Sequence, residues 1–395
     1  MELSKKLQNL PTQFFASLVQ KVNAAIAEGR DIINLGQGNP DQPTPEHIVR
    51  ALQTAAADIQ THKYSPFRGL PEFKEAIADF YKREYDVDLN PHTEVAILGG
   101  AKIGLVEFPM AILNPGDYVL LPDPGYPDYL SGVVLGDVQY DTMPLLEENS
   151  FLPDYNSLSE EVIERAKLMY LNYPNNPTGA TADLAFFNET VQFAKENNIS
   201  VVHDFAYGAF GFDGEKPVSF LQAEGAKDVG VEFYTLSKTY NMAGWRIGFA
   251  VGNETMIEAI NLIQDHLFVS LFPALQHAAI EALNGDQTCV EEQRELYERR
   301  RNVLIKEAKR IRWDVKAPKG SFFAWLKVPD GFTSEQFADL LLDKANVAVA
   351  AGNGFGKYGE GYIRIGLLVS EDRFKEAMSR IEKLGIFNTN EVPMK

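Results

Sequence analysis

Short apolar runs at 118–121, 169–172, 200–203, 232–235 and 247–251 recur through the middle of the chain, several of them separated by helix-patterned stretches such as 184–197. Runs of this kind read as strands buried on both faces, the pattern of a mainly parallel sheet sandwiched by helices. The expected fold is therefore α/β. Ligands of such sheets gather at the strands' carboxyl ends, and Asn176, Asp204, Tyr207 and Lys238 all fall just past a predicted strand end. At 395 residues the chain exceeds what one hydrophobic core usually supports. Two units are expected: a large one over 45–285, and a smaller α+β one built from 1–44 and 286–395.

Outside the large unit, the spacing of apolar residues predicts a helix after Pro11. Further strands are expected at 321–326, 347–350 and 362–365, with a closing helix over 371–384 and a frayed tail. Long helices are expected over 256–283 and 288–308, and Pro109 is expected to kink the helix that follows Gly100.

A formal charge of −18 and a pI near 4.8 repel polyanions, so neither nucleic acid nor an anionic membrane surface is an expected partner. The single cysteine, Cys289, rules out an intrachain disulfide or a Cys-based metal cage. No apolar run reaches the length of a membrane span and the first residues show no apolar signal core, so a cytoplasmic protein is expected.

The stretch Thr235-Leu236-Ser237-Lys238-Thr239-Tyr240-Asn241-Met242-Ala243-Gly244-Trp245-Arg246 sets a lysine behind hydroxyl residues and ahead of an arginine. Their polar groups suit an anion. A second anion-friendly element is the glycine turn Gly99-Gly100-Ala101-Lys102, which opens a helix. Unpaired N–H groups at a helix start, at the positive end of the macrodipole, favour a phosphoryl group.

These residues fit one cofactor chemistry, pyridoxal phosphate held on a lysine. Its ring needs a carboxylate at the pyridine nitrogen and a lysine to carry it, which Asp204 and Lys238 supply. Hydrogen-bond donors for the ring oxygen are Tyr207 and Asn176. The phosphate finds the amides at Gly100, Ala101 and Lys102, together with Thr235, Ser237 and Arg246, while Tyr126 offers an aromatic face for the ring. By contrast, Gly354-Phe355-Gly356-Lys357-Tyr358-Gly359 matches the dinucleotide pattern G-x-G-x-x-G but is followed by a predicted strand, not a helix. It is no nucleotide site, and no metal site is expected either.

In Asn175-Asn176-Pro177-Thr178-Gly179, Asp204-Phe205-Ala206-Tyr207, Ser237-Lys238 with Arg246, and Tyr362-Ile363-Arg364-Ile365, the chain resembles the class I/II aminotransferases of pyridoxal-phosphate fold type I over nearly its whole length. The resemblance implies that Lys238 carries the cofactor and shuttles the proton, that Arg364 takes the substrate α-carboxylate and that Gly38 makes a backbone contact there. It also implies that Tyr64 reaches the phosphate of a neighbouring subunit in a homodimer. Within the family, Gln13-Phe14-Phe15-Ala16-Ser17-Leu18 and His203-Asp204-Phe205-Ala206-Tyr207-Gly208 look like the bacterial methionine-salvage branch, which aminates 4-methylthio-2-oxobutanoate with glutamine as a favoured donor. Residues 247–293 contain no Lys or Arg, which argues against a dicarboxylate substrate, and Phe14, Phe15, Tyr126 and Phe268 are candidate walls of an apolar pocket. A pyridoxal-phosphate C–S lyase, or an aminotransferase for aspartate, aromatic or branched-chain substrates, shares the same cofactor residues and stays open at this point.

Overall fold

The computed structural model of the protein describes residues 2–11 and 14–387. Gln13 and the tail 388–395 lie outside them. Seven strands form the main sheet, in the spatial order Val95–Leu98, Gly248–Gly252, Gly230–Thr235, Ser200–Asp204, Ala166–Leu171, Tyr118–Asp123 and Gln139–Pro144. Gly248–Gly252 runs antiparallel to both of its neighbours, and every other neighbouring pair is parallel.

Successive residues of these strands alternate between two hydrophobic clusters. Val95, Ile97, Val201, Tyr234 and Phe249 belong to one, and Ala96, Leu98, Val202, Phe233 and Ala250 to the other. A sheet buried on both faces favours apolar side chains at most positions, which is why its strands read as apolar runs, and the buried polar residues His203 and Glu232 pair with each other at 2.6 Å. Gln139–Pro144 is the exception. As an edge strand it leaves Gln139 and Tyr140 exposed, so no apolar run announced it.

A second, three-stranded antiparallel sheet is ordered Ala350–Ala351, Tyr362–Gly366 and Phe323–Lys327. Beside it Ile33–Asn34 pairs in parallel with Val347–Ala348, so the strand expected over 347–350 divides at Val349 between two sheets. A third hydrophobic cluster lies here, joining Ile33 and Leu35 to Tyr297, Phe322, Leu341, Ile365 and Phe374.

One helical expectation needs correction. The helix expected over 256–283 is two helices, Glu254–Leu267 and Pro273–Asn284; Val269 between them has φ 74°, and Pro273 opens the second. Proline has no N–H to continue a helix but suits its first turn. Pro109 lies inside the helix Ala101–Ile112, as expected from its position after Gly100. Among the described residues, no helix is long and apolar enough to cross a membrane.

Candidate active site

The carboxyl ends of the main strands open into a cavity of about 560 Å³ lined, among others, by Gly38, Ala101, Lys102, Tyr126, Asn176, Asp204, Tyr207, Thr235, Ser237, Lys238, Arg246 and Arg364. Twelve of the sequence-derived site residues thus converge on one space. The two others behave differently. Gly100 lies just behind the wall with φ 96°, and a Cβ there would stand 2.5 Å from Arg246 Nη2, so only glycine lets the arginine reach the helix start. Tyr64 is 94% exposed and away from the cavity of its own chain.

Lys238 follows the strand Gly230–Thr235 and donates from Nζ to the Gly38 carbonyl at 2.9 Å. Burial, then the charges of Arg364 and Arg246, lower its amine to about 8. Asp204 ends the neighbouring strand Ser200–Asp204. Its Oδ2 accepts from Tyr129 Oη at 2.7 Å, and its Oδ1 is buried without a partner. Burial raises this carboxyl to about 6, with the Tyr129 hydrogen bond pulling the other way. Tyr207 is buried and its phenol raised, chiefly by burial.

Arg364 stands in the middle of Tyr362–Gly366 with 1% of its surface exposed. Its guanidinium carbon lies 3.9, 4.8 and 4.9 Å from the ring centres of Phe323, Phe355 and Phe15. Nη1 donates to Asn176 Oδ1 at 2.9 Å and Nη2 to the Gly36 carbonyl at 3.1 Å. Burial lowers it to about 9. None of the described carboxylates pairs with it, an unusual state for a guanidinium so deeply buried.

The opposite end of the cavity is an anion cradle. The helix Ala101–Ile112 starts there, Ser237 Oγ is buried without a partner, and Arg246 holds only a backbone carbonyl, that of Ala243, at 3.0 Å. Lys102 Nζ is engaged elsewhere, pairing with Asp128 at 2.7 Å. The site therefore brings together an unpaired carboxylate oxygen, a lysine of lowered pKa and a dipole-backed cradle. That donor set matches the pyridine nitrogen, the aldehyde and the phosphate of pyridoxal phosphate.

The proposed apolar pocket is partly corrected. Phe15 and Tyr126 line the cavity. Phe14 instead packs edge-on against Phe355, and Phe268 faces a separate surface hollow beside Gly99 and Ile103. Leu18 and Val19 of the helix Phe14–Ala27 take their place. Sequence reasoning also passed over Tyr129 and Asn172. The Asn172 amide donates to the Asp204 carbonyl at 2.7 Å and its oxygen accepts from Asn176 N at 2.7 Å. The only signals were Tyr129's place in the Tyr126 loop and Asn172's in the Asn176 motif.

With this fold and this site, the chain belongs to the class I and II aminotransferases, whose family model matches residues 30–381. It is an enzyme that moves an amino group between an amino acid and a 2-oxo acid. It is 67% identical over 391 residues to the L-glutamine–4-(methylsulfanyl)-2-oxobutanoate aminotransferase of Bacillus subtilis (strain 168), covering 99% of this chain and 98% of the relative. A solved structure of substrate-bound BacF from the same species superposes with a TM-score of 0.94 at 50% identity, covering 99% of this chain and 100% of that one. An LL-diaminopimelate aminotransferase of Halothermothrix orenii is 43% identical over 98% of this chain and 99% of its own length.

Proposed function

We propose that this aminotransferase transfers the amino group of glutamine, or of another non-acidic amino acid, to 4-methylthio-2-oxobutanoate, forming methionine, with pyridoxal phosphate as the carrier. The observation that carries the substrate reading is the composition of the cavity lining around the cofactor residues. Besides them it includes apolar Phe15, Leu18 and Val19 and the neutral amides of Asn34, Gln37 and Asn39. The lining cations besides Arg364 are Lys238, Arg246 at the cradle and Lys102, already paired. Among the described residues of this chain a second substrate carboxylate would find no free counter-ion in the lining, whereas the unbranched side chains of glutamine and methionine are similar in length and uncharged. The 67% identical relative, whose name specifies this donor and acceptor, supports the same reading.

When bound, pyridoxal phosphate supplies an electron sink for the charge left at the substrate Cα. Lys238 Nζ anchors it and then takes and returns the Cα proton, a task suited to an amine lowered to about 8. Asp204 Oδ1, buried without a partner, would take the pyridine nitrogen, while Tyr129 holds the carboxylate through Oδ2. Asn176 gives its oxygen to Arg364, which leaves its amide N–H, with the Tyr207 hydroxyl, for the ring oxygen. Gly100, Ala101, Lys102, Thr235, Ser237 and Arg246 would hold the phosphate, and Tyr126 would cover a ring face. Arg364 grips the α-carboxylate, with Gly38 beside it.

In this reading 45–285 form the cofactor-binding unit, and 1–44 with 286–395 the smaller unit that carries Arg364. The enzyme acts as a homodimer in the cytoplasm, with Tyr64 entering the partner's cradle. Support for the dimer comes from the exposed stretch around Tyr64, where Ile59 and Phe67 also face outward. A matrix of amino donors against 2-oxo acid acceptors on purified holoenzyme tests the substrate assignment. Glutamine with 4-methylthio-2-oxobutanoate should give the highest kcat/KM; a preference for aspartate or glutamate would overturn it.

A further inference from the structure

The glycine pattern at 354–359, which is no nucleotide site, has a physical explanation. Its turns, Gly352–Phe355 and Lys357–Gly359, leave Ala350–Ala351 and lead into the strand that carries Arg364. A Cβ at Gly354 would stand 2.2 Å from the Phe14 ring, at Gly356 2.1 Å from Asp123 Oδ1, and at Gly359 2.1 Å from the Gly352 carbonyl. The spacing records three close approaches.

The middle approach joins the two sheets. Asp123 is the last residue of Tyr118–Asp123 in the main sheet and is 6% exposed. Its two oxygens accept from the backbone of the turn, Oδ2 from Lys357 N at 3.0 Å and Oδ1 from Tyr358 N at 2.9 Å. Two residues on, Gly125 N donates to the Phe355 carbonyl at 2.8 Å. Phe355, buried between these contacts, lays its ring 4.8 Å from the Arg364 guanidinium and 5.5 and 5.8 Å from Phe14 and Phe15. The clamp therefore ends on a residue that packs against Arg364, while its other side leads directly to Tyr126.

We propose that Asp123 is a positioning residue for substrate binding: by clamping the 357 and 358 amides it holds Phe355 against Arg364, and so sets the guanidinium that receives the α-carboxylate. The inference rests on the reading of Arg364 given above. A carboxylate suits the role because it presents two acceptors to two amides of one turn, whereas an asparagine would turn an N–H₂ group toward one of those N–H donors.

The test uses holoenzyme and 4-(methylthio)butanoate, a carboxylate without an amino group, whose Kd is read from its perturbation of the cofactor's visible absorption. Asp123→Asn should raise this Kd and the KM for glutamine each about tenfold, with kcat changed less than about threefold. Gly356→Ala, which keeps the carboxylate but pushes the turn off it, should give the same split. In an Arg364→Lys background Asp123→Asn should weaken carboxylate binding by less than about twofold, because both changes act on one group. Unchanged Kd in both single variants, a fall in kcat at constant KM, or an undiminished effect in the Arg364→Lys background overturns the positioning role. Arg364→Lys that alone leaves the Kd unchanged would instead sink the reading of Arg364, and the positioning role with it.

Discussion

Replacing Asp204 with asparagine should stabilise the apoprotein while weakening its hold on the cofactor. Burial raises the folded-state carboxyl from its ordinary 3.8 to about 6, so the folded chain binds this proton more tightly than the unfolded chain does. The stabilising contribution of the neutral form is then fully present below the ordinary value and is lost as the pH rises through about 6. A shift of about two units at about 1.4 kcal/mol each makes the buried carboxylate cost the fold about 3 kcal/mol at pH 8, and about half of that at pH 5. Asparagine keeps the shape, can accept from Tyr129 and carries no charge. Its advantage should grow by about 1 kcal/mol between pH 5 and pH 8 in urea unfolding of the apoprotein followed by tryptophan fluorescence. Loss of the charge opposite the pyridine nitrogen should lower pyridoxal phosphate affinity about thirtyfold, roughly 2 kcal/mol, in equilibrium titrations. An advantage that is the same at both pH values would refute the burial argument, and unchanged cofactor affinity would remove Asp204 from the ring nitrogen.

Lys238→Ala should abolish the cofactor's visible absorption and lower transamination by about 10⁴-fold or more; unaltered turnover would refute its role. In the wild-type apoprotein, capture of pyridoxal phosphate should accelerate with pH around a midpoint near 8, where the lowered Lys238 amine becomes neutral, and a midpoint above 10 in stopped-flow traces would contradict it. Arg364→Lys keeps a charge but loses the two-pronged grip, so initial rates should show KM for amino acids up by about 10- to 100-fold. Mixing inactive Lys238→Ala and Tyr64→Ala subunits should restore activity, since one site of each hybrid dimer receives both native side chains; no recovery after subunit exchange would end the shared-site model.

The sequence disclosed most where physics repeats itself. Strands sealed on both faces, such as Ser200–Asp204, are apolar at their centre, and a polar side chain buried along or at the end of one has to be functional or paired, as His203 is with Glu232. Gln139–Pro144 escaped notice because an edge strand has no such requirement. The break at Phe268–Phe272 was hidden because helical periodicity continues across it, with Pro273 as the one local sign. Tyr129 meets Asp204 across 75 residues, and nothing local to either position fixes that meeting. Phe14 and Phe268 show the same limit from the other side: an aromatic side chain can bury itself on either face of its element, and only the packed neighbours decide. Tyr64 is exposed on its own chain, and the role proposed for it needs a second chain that no single sequence can show.

The parallel pairing of Ile33–Asn34 with Val347–Ala348 has a consequence for how the enzyme comes into being. During synthesis the early strand waits for nearly the whole polypeptide before its hydrogen-bond partner leaves the ribosome, and contacts so remote in sequence form late. Lys238 and Asp204 can already stand side by side on the main sheet by then, while Arg364 emerges after position 347. On the roles proposed above, the newborn chain would acquire the residues for its coenzyme before the one for its amino acid.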